Sequence, residues 1–234
     1  MAMRPARDGA KPQPQARLID LAYARLLESL FDGRLPVGAF LSQSDLVELV
    51  GVPVGPLRDA LRILEAEGIL VIRPRSGIEF VKPGIELTRS TFQYRSIVEL
   101  AAVRIFAEVG DADLIERMHV RHLNAATGLE TQGLTIDLGG EIEDLESVLH
   151  HSIIETLGNP LIQVSYRRMH NYLRLVRIGR RMTVPLVLRS INEHLAIIEA
   201  FRARDPERAE AALQAHFDAA LQRHMTMFLG DLAL

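Results

Sequence analysis

Strand-forming sequence is confined to one short stretch of this chain, and that confinement decides the fold class. ILVIR (69–73) and IEFV (78–81) are β-rich, and PRSG between them can turn a hairpin. Ahead of them the apolar residues recur at helical spacing. In LIDLAYARLLESLFD (18–32) they fall at Leu18, Leu21, Ala22, Leu26 and Leu30, and GRLPVG (33–38) breaks the pattern. Ser42 and Asp45 then form S-x-x-D, a capping-box start for a short helix ending near Val50. Gly51 to Pro53 form a turn. Pro56 suits the first turn of the next helix, where its missing N–H is no loss. Leu57, Ala60, Leu61 and Leu64 mark that helix's buried face, and Gly68 suits its C-terminal end. The order is helix, helix, turn, helix, hairpin: a helix-turn-helix with a β-wing.

From Glu86 onward no strand signal persists. The periodicity predicts six helices, at roughly 87–109, 111–128, 138–157, 160–180, 184–203 and 206–229. Breaks are expected at Gly110–Asp111, across GLETQGLTIDLGG (128–140), at Gly158–Asn159–Pro160, near Pro185 and at Asp205–Pro206. The chain therefore reads as mainly α, an N-terminal winged helix-turn-helix followed by an all-helical bundle. Its expected parts are a flexible basic arm (1–17), the winged module (18–83) and the helical domain (84–234).

Cysteine is absent, which excludes disulfides and thiolate metal sites. No apolar run reaches the ~18–20 residues that span a bilayer. The segment MAMRPARDGAKPQPQAR lacks the apolar core of a secretion signal, so a cytoplasmic protein without membrane contact is expected. Net charge is −3, so bulk charge does not announce a nucleic-acid binder. Its distribution says more: the arm carries Arg4, Arg7, Lys11 and Arg17 against Asp8, and the winged module has Arg58, Arg62, Arg73, Arg75 and Lys82 late in its sequence.

A recognition helix presents its N-terminal residues to base edges. Gly55, Pro56 and Arg58 then lie close to DNA, and Arg58 can fork onto guanine or phosphate. Arg73, Arg75 and Ser76 would ride on the wing, where backbone N–H groups near Gly77 can approach phosphate. A helix-turn-helix is also a common packing unit, and on spacing alone the two readings stand level.

Eight histidines are present, and three stand out by spacing. Glu146 and His150 are four apart and share one helical face. His194 and His216 lie on either side of the Asp205–Pro206 break, at distances that bring them level if the two helices fold back antiparallel. One carboxylate and three imidazoles suit zinc, nickel or manganese. Spacing alone favours the plainer reading, a solvated Glu146 and ordinary buried histidines. His151 points about 100° away from His150 and reads as structural or exposed. His119, His122, His170 and His224 have no matching partner. Arg174, Arg177 and Arg181 share a helical face and read as solvated, with pocket groups as the alternative.

Two blocks carry a family resemblance. GRLPVG, V-x-x-x-PLRDALRILEAEG and the RPRSG wing resemble the N-terminal domain of GntR-family bacterial transcription regulators, without a gap over 18–82. ESVLHHSIIETLGNPLI and EHLAIIEAFRARDPERAEAALQAH resemble the FCD domain, the ligand-sensing domain of the FadR-type subfamily, over about 88–228. The resemblance implies a metal held by Glu146, His150, His194 and His216, most simply zinc with nickel or manganese as alternatives, and a small carboxylate effector beside it. Arg95, in TFQYRSIVEL, matches a recurrent arginine that pairs with such an effector; a salt bridge to a neighbouring helix is the equal alternative for it. In the winged module it implies DNA contacts from Ser44, Gly55, Arg58, Arg73, Arg75, Ser76 and Gly77.

Three departures qualify it. The first metal ligand is usually aspartate, and here it is Glu146, one methylene longer. The family has arginine where Ser44 stands, and serine–arginine–threonine where Pro53, Val54 and Gly55 stand, so two DNA-contacting arginines are missing. The expected function is a transcription regulator, a repressor that binds a palindromic operator in double-stranded DNA as a homodimer and is controlled by a small organic acid. It is not expected to be an enzyme, since no further carboxylate is placed as a base for metal-bound water. The alternatives are a metal-dependent hydrolase or lyase with an appended helical module, and a sensor that has lost DNA binding.

Overall fold

In the computed structural model, which describes residues 14–38, 40–178 and 182–230, the chain divides into two units, 1–82 and 83–234. The N-terminal unit runs α1 (Pro14–Phe31), β1 (Phe40–Leu41), α2 (Gln43–Val50), α3 (Val54–Ala66), β2 (Leu70–Arg73) and β3 (Gly77–Phe80). Residues 14–17, counted with the arm above, belong to α1; proline is at home in a helix's first turn. The remainder of the arm lies outside the described residues.

Local chemistry sets each boundary. Ser42 accepts from the Asp45 N–H while Asp45 accepts from the Ser42 N–H, a complete capping box. Gly51 closes α2 in the left-handed region at φ 62°, and Arg25 of α1 donates to the Val50 carbonyl at 2.6 Å. Helix α3 starts at Val54, so Pro56 sits in its first turn. It ends in a Schellman motif: Gly68, at φ 74°, donates to the Glu65 carbonyl and Ile69 to that of Leu64. Leu26 and Leu30 of α1 are buried in one core with Leu46 of α2 and Leu57, Leu61 and Leu64 of α3.

The hairpin is as expected, but it is joined by a third strand that the sequence conceals. The sheet order is β1-β3-β2, all antiparallel, with Phe40 opposite Glu79 and Leu41 opposite Ile78. Two residues carry no periodicity of their own, and only the partner strand defines them. Gly77 is what admits them: at φ 109° it lies against β1 so closely that a Cβ would stand 2.6 Å from the Leu41 carbonyl oxygen.

The described C-terminal unit is all helix: α4 (Ile85–Val109), α5 (Ala112–Gln132), α6 (Ile136–Glu155), α7 (Pro160–Arg177), α8 (Val184–Arg202) and α9 (Pro206–Gly230). Asp111, Thr135 and Asn159 cap α5, α6 and α7 by accepting from the backbone N–H groups that begin them. The long break expected over 128–140 shrinks to three residues. Glycines 128, 139 and 140 are absorbed into helices, and a Cβ at Gly128 would already touch Leu138 of α6 at 3.4 Å. The working punctuation is Gly133, at φ 74°, and the Thr135 cap. Val103, Phe106, Leu149, Tyr166, Ile197, Phe201, Leu213 and Phe217 form the core around which the helices pack. Among the described residues no helix is long and apolar enough to cross a membrane.

Gly77→Ala should destabilise the N-terminal unit by about 1–3 kcal/mol, since it adds left-handed strain to a backbone clash. Chemical denaturation measures this. A change within about 0.5 kcal/mol, ordinary for a surface substitution, would contradict the packing of β1 against Gly77.

Candidate metal centre

Glu146 and His150 occupy one face of α6 by their four-residue step. His194 comes from α8 and His216 from α9, which fold back on each other across the Asp205–Pro206 turn and bring the two rings to 4.7 Å between centroids. One ligand atom from each of the four lies within 4.8 Å of all the others, and all four residues are buried. The structure thus gathers the four residues whose spacing singled them out.

What these atoms do not do is informative. The Nε2 atoms of His150, His194 and His216 are buried without a hydrogen-bond partner among the described residues. Glu146 oxygens stand 3.3 Å from His194 Nε2 and 3.5 Å from His150 Nε2, yet form no hydrogen bond with either. Each Nδ1, by contrast, is engaged. That of His150 meets Glu99 Oε2 at 2.5 Å and that of His216 meets Glu193 Oε2 at 2.9 Å. That of His194 meets His122 Nε2 at 3.3 Å. A carboxylate on Nδ1 holds the proton there and leaves the Nε2 lone pair for a cation. Four converging donors with three bare lone pairs fit a tetrahedral N3O ion such as zinc.

Electrostatics around the cluster come from residues that spacing did not identify. Arg95, fully buried, donates to Glu99 at 2.8 Å, lies 3.4 Å from Glu146 Oε1 and stacks over the Phe217 ring. Tyr166 donates to Glu99 at 2.7 Å. Arg177 donates to Glu146 Oε1 at 2.6 Å, which corrects its reading as a solvated arginine; Arg181 lies outside the described residues. Burial opposes the charge on Glu146, but Arg177 and His150 outweigh it and hold the carboxyl well below the usual carboxylate value. Burial likewise opposes Glu99, where Arg95 and His150 win and bring it to about 2. With both guanidiniums on Oε1, Oε2 of Glu146 is the oxygen left for a cation. Glu193 pairs with Arg223, and burial there is outweighed by His216 and Arg223, which bring its carboxyl to about 2.

Glu99 was legible as the i+4 partner of Arg95. Glu193 and His122 had no local signal, because their partners lie 23 and 72 residues away. Three other histidines are engaged elsewhere, His151 with the Ser147 carbonyl, His119 with Glu199 and His224 with the Ala220 carbonyl, while His170 Nδ1 is buried without a hydrogen-bond partner among the described residues. A cavity of about 130 Å³, lined by Ile142, Glu146, Arg177, Met182, Leu186 and Val187, opens beside the cluster.

In the N-terminal unit most of the residues expected at DNA lie on the surface, but Pro56 is buried in the first turn of α3. Ser44, Gly55, Arg58, Arg73, Arg75 and Ser76 are exposed and Gly77 is half-buried. Arg58 donates to Gln43 of α2 at 2.9 Å, and Arg73 pairs with Glu79 across the hairpin at 3.4 Å. Arg75 stands in the wing turn at φ 67°. No side chain caps the N-terminus of α3, where Val54 and Gly55 are exposed.

Comparison with known proteins bears on both units. The model of the FCD domain matches residues 90–219, and that of "Bacterial regulatory proteins, gntR family" matches 18–80. The HTH-type transcriptional regulator BphR of Paraburkholderia xenovorans is 26% identical over 221 residues, covering 91% of this chain and 88% of that protein. The HTH-type transcriptional repressor NanR of Cronobacter sakazakii is 24% identical over 236 residues, covering 90% and 86%. Among solved structures, E. coli McbR/YncC is similar in fold at a TM-score of 0.73 and 18% identity, over 90% of this chain and 98% of that one.

Burial pushes the ring pKa of His150, His194 and His216 below the ordinary imidazole value, and brings His122 to about 4 and His170 to about 3. The unfolded chain takes up these protons near pH 6.5 while the folded one does not, so stability falls as pH drops below that value. The thermal midpoint of chelator-treated protein should therefore decline steadily from about pH 6.5 toward pH 4. A flat midpoint across that window would show the rings are not held neutral.

Proposed function

The chain belongs to the GntR family of bacterial regulatory proteins with an FCD domain and is a DNA-binding transcription regulator, and from that premise we propose a repressor whose operator binding is controlled by a small organic acid held near a metal in the C-terminal unit. The observation that carries the sensing half is the set of three bare, buried Nε2 atoms converging with Glu146. Zinc suits that donor set best, with nickel or manganese as alternatives. When bound, the ion supplies a positive centre and polarises what it touches. Two guanidiniums and two carboxylates already balance in the cluster, so a dication adds charge that an organic anion offsets. Arg95 Nη2 and Arg177 Nε are both buried without a hydrogen-bond partner among the described residues, which supports their holding a donor in reserve for a carboxylate. The effector must bind one arrangement of the protein better than another to switch it.

On DNA, Arg58 reads base edges or phosphate. Ser44, Gly55, Arg73, Arg75, Ser76 and the Gly77 backbone contact the duplex around it. The uncapped start of α3 offers backbone N–H groups to phosphate where the family's arginine is missing. The name of NanR, a repressor, supports repression as the direction.

A palindromic operator calls for a homodimer. Ile97, Ala101, Ile105 and Val109 form an exposed stripe on α4 at four-residue steps. Ile97 and Ile105 are placed symmetrically about Ala101, as a two-fold axis through that small residue requires. Ile97→Glu with Ile105→Glu should convert the dimer to monomer in sedimentation velocity; an unchanged dimer would place the interface elsewhere.

Anisotropy titration on the protein's own promoter region, at two salt concentrations, tests the reading. Arg58→Ala should weaken binding about ten-fold or more and flatten the salt slope by about one unit if it contacts phosphate. A wild-type protein that binds no such fragment at either salt would overturn it.

A further inference from the structure

We propose that His122 is an outer-shell residue that fixes His194 with its proton on Nδ1 and thereby sets how tightly the cluster holds a metal. The inference rests on the metal reading above and adds a residue to it. His122 belongs to α5, outside the four ligands, and its ring is fully buried.

The direction of the hydrogen bonds follows from one end of the chain. His122 Nδ1 lies 2.7 Å from the Met118 carbonyl oxygen, which can only accept, so that nitrogen carries a proton. Among the described residues no carboxylate bonds the ring, and an unpaired buried imidazolium is costly, so His122 is neutral and its Nε2 has only a lone pair. That lone pair faces His194 Nδ1 at 3.3 Å. His194 must therefore donate from Nδ1, and its own Nε2 is left bare beside Glu146 Oε2. The two rings stand edge to face, at 72°, which suits a bond from one ring edge to the other's lone pair.

His122 thus does for His194 what a carboxylate does for each of the other two. Glu99 and Glu193 hold His150 and His216 in the same tautomer. The difference is charge: a neutral acceptor raises the basicity of His194 less than a carboxylate does, so His194 is the weakest of the three imidazole donors. Removing the acceptor would free the His194 proton to move to Nε2, where it blocks the lone pair.

The test uses the full chain stripped by chelator, with zinc alone as the probe. His122→Leu and His122→Phe both remove the acceptor, so a folding defect in one leaves the other to read. His122→Gln restores an oxygen near the Nε2 position. Zinc affinity, from competition with a chromophoric chelator, should fall about 10–100-fold in the apolar variants and largely recover in the glutamine variant. Long-range ¹H–¹⁵N spectra of the metal-free protein should show His194 protonated on Nδ1 in the wild type and the glutamine variant, and on Nε2 in the apolar ones. Wild-type affinity and an unchanged His194 tautomer in a folded apolar variant would overturn the proposal. A loss of affinity equal in all three variants would also overturn it, since that reports packing alone. If the wild type takes up no zinc the metal reading fails by itself, while the tautomer spectra still decide the role of His122.

Discussion

Nitrogen lone pairs buried with nothing to bond them are the constraint on which the C-terminal unit turns. An unsatisfied buried polar atom costs about 1–3 kcal/mol, and here three converge on one carboxylate. A core that merely needed polar groups would pair them. Instead, the Nδ1 atoms of His150, His194 and His216 are each tied down by a partner from another part of the chain, and their Nε2 atoms have no hydrogen-bond partner among the described residues. Four helices contribute to holding those rings: Glu99 from α4, His122 from α5, Glu193 from α8, and the α6 backbone that sets Glu146 against His150. The ion pairs of Arg95 and Arg177 then keep the buried Glu146 ionised.

This arrangement shows what the longer carboxylate of Glu146 does. Glu146 serves two tasks at once. Its Oε1 accepts from Arg177 and lies near Arg95 and His150 Nε2, and its Oε2 faces His194.

Much of this was legible in the sequence, and the reasons differ by element. The helices of the C-terminal unit showed through their periodicity, and the winged module through Ser42, Gly51 and Gly68, whose roles are local. The four cluster residues were legible because two share a helical face and two straddle a proline break. Residues whose meaning is set by a distant partner were not. Phe40 and Leu41 are a strand only because β3 lies beside them, and His122 matters only because His194 faces it. Arg177 read as solvated because helical spacing cannot say which face a neighbour covers. Glycines 128, 139 and 140 weighed as breakers, although only Gly133 adopts a left-handed φ in that stretch.

Metal content is the most direct measure of the central claim. Elemental analysis of the full-length protein, purified without chelator from zinc-containing medium, should give one ion per chain, and the His194→Ala, His216→Ala double variant should retain almost none while keeping its helical content. Equal stoichiometry in wild type and variant, or no metal in either, would contradict it.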